Sequence, residues 1–236
     1  MTLVRRLILG LLATGLDAAL IGAALGGAAP LLAHRPAIAL LAVWAAGSVF
    51  LAMRRPVRGH DAVTIERDTS GVLPALFALP LLAAPLAALG ERLELWPLPG
   101  GSWVQWLGVA VSGAGIALRI AAMAQLGTRF SPLVALQREH PLETTGLYAR
   151  VRHPGYVGAW LAALGGALAF DSALGLPAPA IMAALLSLRA TREEALLERH
   201  FGEDYRRYRA RTGRFFPRWI PAASSRAEGR GPANHG

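Results

Sequence analysis

Two apolar stretches, YVGAWLAALGGALAF at residues 156–170 and LGLPAPAIMAALLSL at residues 174–188, are separated by three residues. The second runs straight into RATREEALLERHFGEDYRRYRARTGRFFP at residues 189–217. A bilayer core of about 30 Å takes roughly 20 helical residues, so each stretch is short for a lone span. We read the pair as a helical hairpin whose second arm continues past Leu188 as a polar helix outside the membrane. Four longer apolar stretches precede it, at residues 7–25, 37–53, 72–89 and 102–118. Backbone polar groups in lipid must be satisfied within the segment, which selects helices over an open sheet. The expected fold is an all-α integral membrane bundle of about six spans, the last two a hairpin, with a C-terminal helix outside the membrane.

Composition supports a membrane protein. Of 236 residues, 54% are hydrophobic and 17% charged, with 26 glycines besides, against about 25% charge in ordinary soluble domains. So much apolar surface excludes disorder for most of the chain. The absence of Cys removes disulfides, thiolate nucleophiles and cysteine metal sites. The 24 basic residues are all Arg, so there is no Schiff-base or P-loop lysine.

The net charge of +9 would suit nucleic acid, but the positions of the arginines assign it elsewhere. With six spans and the N-terminus inside, 21 arginines fall on inner segments, only Arg35 and Arg92 lie outside, and Arg119 sits near the inner end of the fourth span. That is the positive-inside asymmetry, reinforced by attraction to anionic lipid. It predicts cytoplasmic termini in a plasma membrane, membrane lipids as partners and no nucleic acid. An alternative reading of the N-terminus is a signal peptide with Arg5 and Arg6 ahead of residues 7–16; the apolar run continuing to Ala33 speaks against it. We divide the chain into N-terminal spans (1–100), a catalytic core (101–220) and a disordered tail (221–236).

Few motifs carry chemistry. Gly113-Ala-Gly115 lies inside a span without a preceding strand or third glycine, so it is no dinucleotide fingerprint. His140 and His153 lack metal-ligand spacing, and no metal is expected. Arg119 is an ionisable group within a span, a functional or paired residue unless it snorkels to the headgroups. The segment LETTGLYARVRHPGYVG at residues 142–158 packs Tyr148, Arg150, Arg152, His153 and Tyr156 at the entry to a helix, with Pro154 suited to its first turn. The ordinary reading of this segment is a basic interfacial anchor. On the following polar helix, Arg189, Glu193, Leu196 or Leu197, and His200 share a face, and a surface ion pair between Arg189 and Glu193 is the ordinary reading there.

Taken together these residues resemble the isoprenylcysteine carboxyl methyltransferase family of membrane enzymes. The resemblance begins at LRIAAMAQLGTRF (118–130) and the LVALQ ending at Gln137. It continues through His140-Pro-Leu142, Gly146-Leu-Tyr148 and Arg152-His-Pro-Gly-Tyr156-Val-Gly158, and finishes with Arg189, Glu193-Glu194 and Phe201-Gly-Glu-Asp-Tyr205. It implies an S-adenosylmethionine site built from Gln137, His140, Pro141, Leu142, Glu143, Tyr148, His153, Pro154, Gly155, Tyr156 and Glu193. It also implies that Arg189 meets the substrate carboxylate. Pro141, Glu143 and Gly155 depart from the family pattern, and the first three spans carry no matching motif.

The chemistry agrees. A carboxylate is ionised at neutral pH and needs a cation to orient it, a task for Arg189 and Arg119. An ethanolamine substrate would need a base, for which His153 or Glu194 is placed. The expected function is therefore carboxyl O-methylation of an isoprenylcysteine-like or other lipidic acid, with Arg189, Arg119 and Glu194 as the catalytic set. The alternatives are a phospholipid (ethanolamine) N-methyltransferase and a non-catalytic lipid-binding membrane protein of the same fold. The all-Arg, Ala-rich composition points to a GC-rich bacterial source, where a small isoprenoid-like acid suits as well as a prenylated protein. The sequence leaves the oligomeric state open. A shared cofactor pocket requires the His153 and Glu193 side chains to lie within about 12 Å of each other.

Overall fold

A computed structural model describes residues 2–53, 62–65, 71–127, 135–137 and 142–218. The elements in chain order are α1 (Leu3–Leu25), α2 (Ala28–Ala33), α3 (Arg35–Met53), β1 (Ala62–Ile65), α4 (Val72–Arg92), α5 (Ser102–Leu126), β2 (Ala135–Gln137), α6 (Pro154–Leu168), α7 (Pro177–Phe201) and α8 (Glu203–Arg211). The tail from residue 221 lies outside the described residues.

Among the described residues, five helices are long and apolar enough to cross a membrane: α1, α3, α4, α5, and the stretch Ala173–Phe201 that contains α7. Their outward faces are apolar, as lipid contact requires. Leu9, Leu12 and Leu16 of α1, for example, are 48–63% exposed. The inward faces form a core in which Ile21, Leu40, Ala84, Ala87, Val109 and Phe170 are buried together.

The shorter α6, 15 residues, is about 22 Å long. It runs antiparallel to α5 at backbone contact. A Cβ at Gly108 would lie 2.5 Å from the Ala169 nitrogen, one at Gly115 would lie 2.5 Å from the Ala162 nitrogen, and one at Gly158 would lie 2.6 Å from the Arg119 nitrogen. Only glycine permits that approach, the usual role of small residues between membrane helices. Ser112 completes the seam, accepting from Trp44 Nε1 at 3.0 Å and donating to the Ala162 carbonyl at 3.0 Å.

The helix α7 returns antiparallel to α6. Ala163 packs with Met182 and Leu186, and Trp160 Nε1 donates to the Pro179 carbonyl at 3.0 Å. The expected hairpin is present. At 25 residues, or about 37 Å, α7 outruns a bilayer core and carries residues 189–201 beyond it as one continuous helix. Gly202, at φ +53°, ends it.

At the end of the bundle away from that extension, Glu91 gathers three elements. It meets His34 Nε2 at 3.1 Å, Gln105 Nε2 at 3.4 Å and the Asp171 backbone N–H at 2.9 Å. This ties the α2–α3 junction, α5 and the α6–α7 link to the end of α4.

Two features differ from the sequence reading. A short antiparallel ladder pairs Ala62 with Gln137, Thr64 with Leu136 and Ile65 with Ala135, joining the α3–α4 link to the α5–α6 link. Its three and four residues are too few to show a strand period in sequence. Second, the sequence beyond Gly202 would let Tyr205 and Tyr208 lie back on the membrane interface, and they do not. Both are buried in protein, because α8 folds against the segment ahead of α6 and Tyr208 Oη donates to the Tyr148 carbonyl at 2.8 Å.

Candidate active site

The end of the bundle where α7 emerges collects nearly every described motif residue. The segment after α8 is laced to the loop ahead of α6. The Arg152 N–H donates to Gly213 O at 2.9 Å, the His153 N–H to Arg214 O at 3.1 Å, and the Gly213 N–H to Arg150 O at 3.1 Å. This places His153, 6% exposed, at the start of α6, where Pro154 occupies the first turn.

Glu193 and Glu194 are consecutive and have opposite fates, because successive residues on a helix point about 100° apart. Glu194 is buried and surrounded by cations. Its Oε1 accepts from Arg152 Nε at 2.9 Å and lies 3.2 Å from His153 Nε2, while its Oε2 accepts from Arg214 Nη2 at 2.6 Å. Arg152 also donates through Nη1 to the Thr212 and Arg209 carbonyls. The Arg152–Glu194 pair is nearly closed to solvent, at 9% and 4% side-chain exposure.

Glu193, on the adjoining face, is one-third exposed and lies 3.9 Å from His153 Nδ1, far inside the 12 Å that a shared pocket requires. Its Oε2 accepts from Tyr156 Oη at 2.6 Å, and the same hydroxyl accepts from Arg189 Nε at 2.8 Å. The Tyr156 hydroxyl therefore bridges Arg189 and Glu193, and the Tyr156 ring stacks on His153 at 5.1 Å and 17°. Arg119 proves to be paired: its Nη1 donates to the Gly155 carbonyl at 3.1 Å, across the α5–α6 seam.

The segment after residue 141 forms the third wall. Glu143 Oε1 accepts from the Thr145 N–H at 3.1 Å and from its hydroxyl. Gln125, at the end of α5, grips this loop with both amide atoms. It donates to the Thr145 carbonyl at 2.6 Å and accepts from the Leu147 N–H at 3.0 Å. Tyr148 follows in a 3-10 turn, buried, donating to the Ala122 carbonyl at 3.4 Å. Burial, then the nearby Glu193 charge, holds its phenol well above the usual tyrosine range. Leu142 is half-buried. Gly155 is not demanded by packing, since a Cβ there would meet only Ala122 Cβ at 3.7 Å.

The structure thus brings together Arg119, Glu143, Tyr148, the His153–Tyr156 turn, Arg189, Glu193 and Glu194. The Gln137 backbone lies on the β ladder, and His140 and Pro141 lie outside the described residues. Sequence reasoning missed Gln125, Thr212 and Arg214, and read Arg152 without its partner. A lone Gln at a helix end, or an Arg in a basic tail, carries no periodic or spacing signal. Only the fold brings residues 209–214 against residues 150–153.

The family model described as "Isoprenylcysteine carboxyl methyltransferase (ICMT) family" matches residues 106–199 of this chain. Over 95 residues the chain is 42% identical to a protein-S-isoprenylcysteine O-methyltransferase of Schizosaccharomyces pombe, covering 39% of this chain and 40% of the relative. It is 32% identical over 136 residues to the Homo sapiens protein of that name, covering 53% and 48%. It is 27% identical over 158 residues to protein-S-isoprenylcysteine O-methyltransferase B of Arabidopsis thaliana, covering 66% and 79%. The chain therefore spans less than half the length of the fission yeast and human relatives. The matched segment takes in all of α6 and most of α5 and α7, the three helices that build the site.

Proposed function

We propose, from the match of residues 106–199 to the isoprenylcysteine carboxyl methyltransferase family model, that this protein is a membrane methyltransferase that uses S-adenosylmethionine to esterify the carboxylate of an isoprenylcysteine-like or other lipidic acid. The observation that carries the reading is the Tyr156 hydroxyl, 2.6 Å from the Glu193 carboxylate and 2.8 Å from Arg189. It sets an acid suited to a cationic cofactor beside a guanidinium suited to an anionic acceptor.

The donor set fits such a cofactor. Glu193 is one-third exposed and Tyr156 is bonded to it, so a carboxylate is available for an ammonium or a ribose hydroxyl. The half-buried Tyr156 ring, backed by the buried His153 ring at 5.1 Å, offers a flat face. The resemblance assigns the cofactor's backbone contacts to Gln137, His140, Pro141 and the loop at 142–149. When bound, S-adenosylmethionine supplies a methyl group on a sulfonium, whose departure needs no proton.

The residues of this chain then have positional tasks. Arg189, at the boundary where α7 leaves its apolar half, holds and orients the acceptor carboxylate, with Arg119 adding positive charge across the α5–α6 seam. The apolar helices around them exclude water and strengthen those contacts. Glu194 acts as a positioning residue, since Arg152, Arg214 and His153 engage it from three sides. With both candidate bases, His153 and Glu194, bonded to each other, the geometry favours an acceptor that needs no deprotonation over an ethanolamine ammonium.

We further place the site-bearing end on the cytoplasmic side. Six crossings, counting α6, return both termini to one face, and the arginine asymmetry selects that face.

Titration of the full chain in detergent with S-adenosylhomocysteine tests the reading, and no heat of binding at high micromolar ligand would overturn it. Transfer of labelled methyl to a farnesylcysteine analogue, with a base-labile product, is the expected activity. Transfer to phosphatidylethanolamine instead would replace the proposed acceptor class. Arg189→Ala should abolish turnover of the acid while cofactor binding survives, and unchanged turnover would remove its assigned role.

A further inference from the structure

A cleft of about 770 Å³ beside α8 shares Arg152, Glu194 and Arg214 with the back of the candidate active site, and none of Tyr156, Arg189 or Glu193 lines it. Five guanidiniums, of Arg152, Arg206, Arg209, Arg214 and Arg218, line it against that single carboxylate. Glu194 is occupied by Arg152 and Arg214. At the rim Glu198 meets Arg209 at 2.7 Å, and Glu203 meets Arg206 at 2.7 Å. Arg218 donates to the Ala210 carbonyl at 2.7 Å. Counting all three carboxylates, the cleft keeps an excess of two positive charges, and Arg206 and Arg209 remain about half exposed.

Its depth relative to the bilayer follows from α7. Arg214 donates to the Thr191 hydroxyl and to Glu194, which stand about 5–9 Å beyond Leu188 along the helix axis. That is headgroup depth for a bilayer whose hydrocarbon ends near Leu188. Phe215 and Phe216 form part of the same wall. Phe216 is 73% exposed, and Leu188, one turn before Thr191 on α7, is 54% exposed.

We propose that this cleft binds the headgroup of an anionic phospholipid, its phosphate held by the guanidinium forks and an acyl chain descending past Phe216. Planar guanidiniums match phosphate oxygens in pairs. The residual positive charge favours a headgroup without a choline or ethanolamine cation. Such a lipid would brace α8 and the segment at 212–218 against the back of the active-site wall. The proposal is independent of the methyltransferase reading.

Native mass spectrometry of the full chain released from detergent, titrated with phosphatidylglycerol and with phosphatidylcholine of the same acyl chains, tests it. The expected result is one retained phosphatidylglycerol, bound about tenfold more tightly than phosphatidylcholine, and a loss of about tenfold in the Arg206→Gln/Arg218→Gln variant, the scale of one lost charge-assisted contact. Arg207→Gln is the control, because Arg207 pairs with Asp204 at 2.6 Å on the same helix and does not line the cleft. Should the double variant fail to fold, Arg218→Gln alone carries the test, with a smaller loss expected. Equal retention of the two lipids, or a loss in Arg207→Gln matching the double variant, would overturn the proposal. Displacement by sn-glycerol 3-phosphate at the lipid's own concentration would overturn it too, by showing a soluble phosphate site.

Discussion

Replacing Glu194 by Gln leaves the side chain's shape almost intact and removes its charge, so it isolates what the carboxylate does. Two guanidiniums and an imidazole nitrogen converge on it within 3.2 Å. Arg152 would be left 9% exposed with no counterion, while Arg214, 37% exposed, could turn to water. Weakening a charge-assisted hydrogen bond to a neutral one costs about 1 kcal/mol each. An unpaired buried guanidinium adds to this, within the 3–5 kcal/mol known for broken buried pairs. Arg152 keeps the Thr212 and Arg209 carbonyls, which places the loss at the lower end, about 3 kcal/mol. For a chain of this size that is a fall of about 6–12 °C in the thermal midpoint. The assay is thermal unfolding of the full chain in one detergent, beside Glu198→Gln, whose pairs with Arg209 and Arg206 are solvent-exposed and worth about 1 kcal/mol or less. If Glu194→Gln melts within a degree or two of Glu198→Gln yet loses methyl transfer, Glu194 acts in the chemistry and the positioning argument is wrong.

Gly115→Leu should disrupt the α5–α6 seam, since even its Cβ would lie 2.5 Å from the Ala162 backbone nitrogen. We expect little folded protein by size-exclusion chromatography, and a normal monodisperse yield would contradict the close packing. Gln125→Ala frees the loop at 143–147 that holds Glu143. It should raise KM for S-adenosylmethionine about three- to tenfold with kcat largely kept, and a fall in kcat alone would refute its clamping role. Tyr148, Tyr205 and Tyr208 have phenols pushed upward chiefly by burial, Tyr208 to about 12. The fold therefore favours their neutral forms. That stability is whole below the unfolded value of about 10 and is lost as pH rises through the folded one. Ultraviolet difference titration of the folded protein should show most tyrosine ionisation delayed until alkaline unfolding, and a normal transition near pH 10 for three residues would refute the burial.

The architecture was legible because lipid imposes it locally. Runs of apolar residues punctuated by arginine leave the backbone of 7–25 or 102–118 little alternative to a helix. The break at 171–173 and the charged sequence after Leu188 marked the hairpin and its emerging arm. The motif residues could be named from resemblance, and the close spacing of Arg189 and Glu193 on one helix face is arithmetic. What periodicity could not supply was which neighbour each charge would meet. Glu193 and Glu194 are adjacent and identical in type, yet one shares the Tyr156 hydroxyl with Arg189 and the other is enclosed by Arg152, His153 and Arg214. That division depends on a 100° turn of α7 and on the return of residues 209–214 to the start of α6, across nearly 60 residues of chain. Gln125 took its partners in the same way from the loop ahead of α6, and Arg119 took its own across the α5–α6 seam. Long-range pairing of this kind leaves no trace in local sequence, because any polar side chain at a helix end is equally compatible with solvent. The tertiary structure alone decided which of the arginines shape the site and which line the cleft behind it.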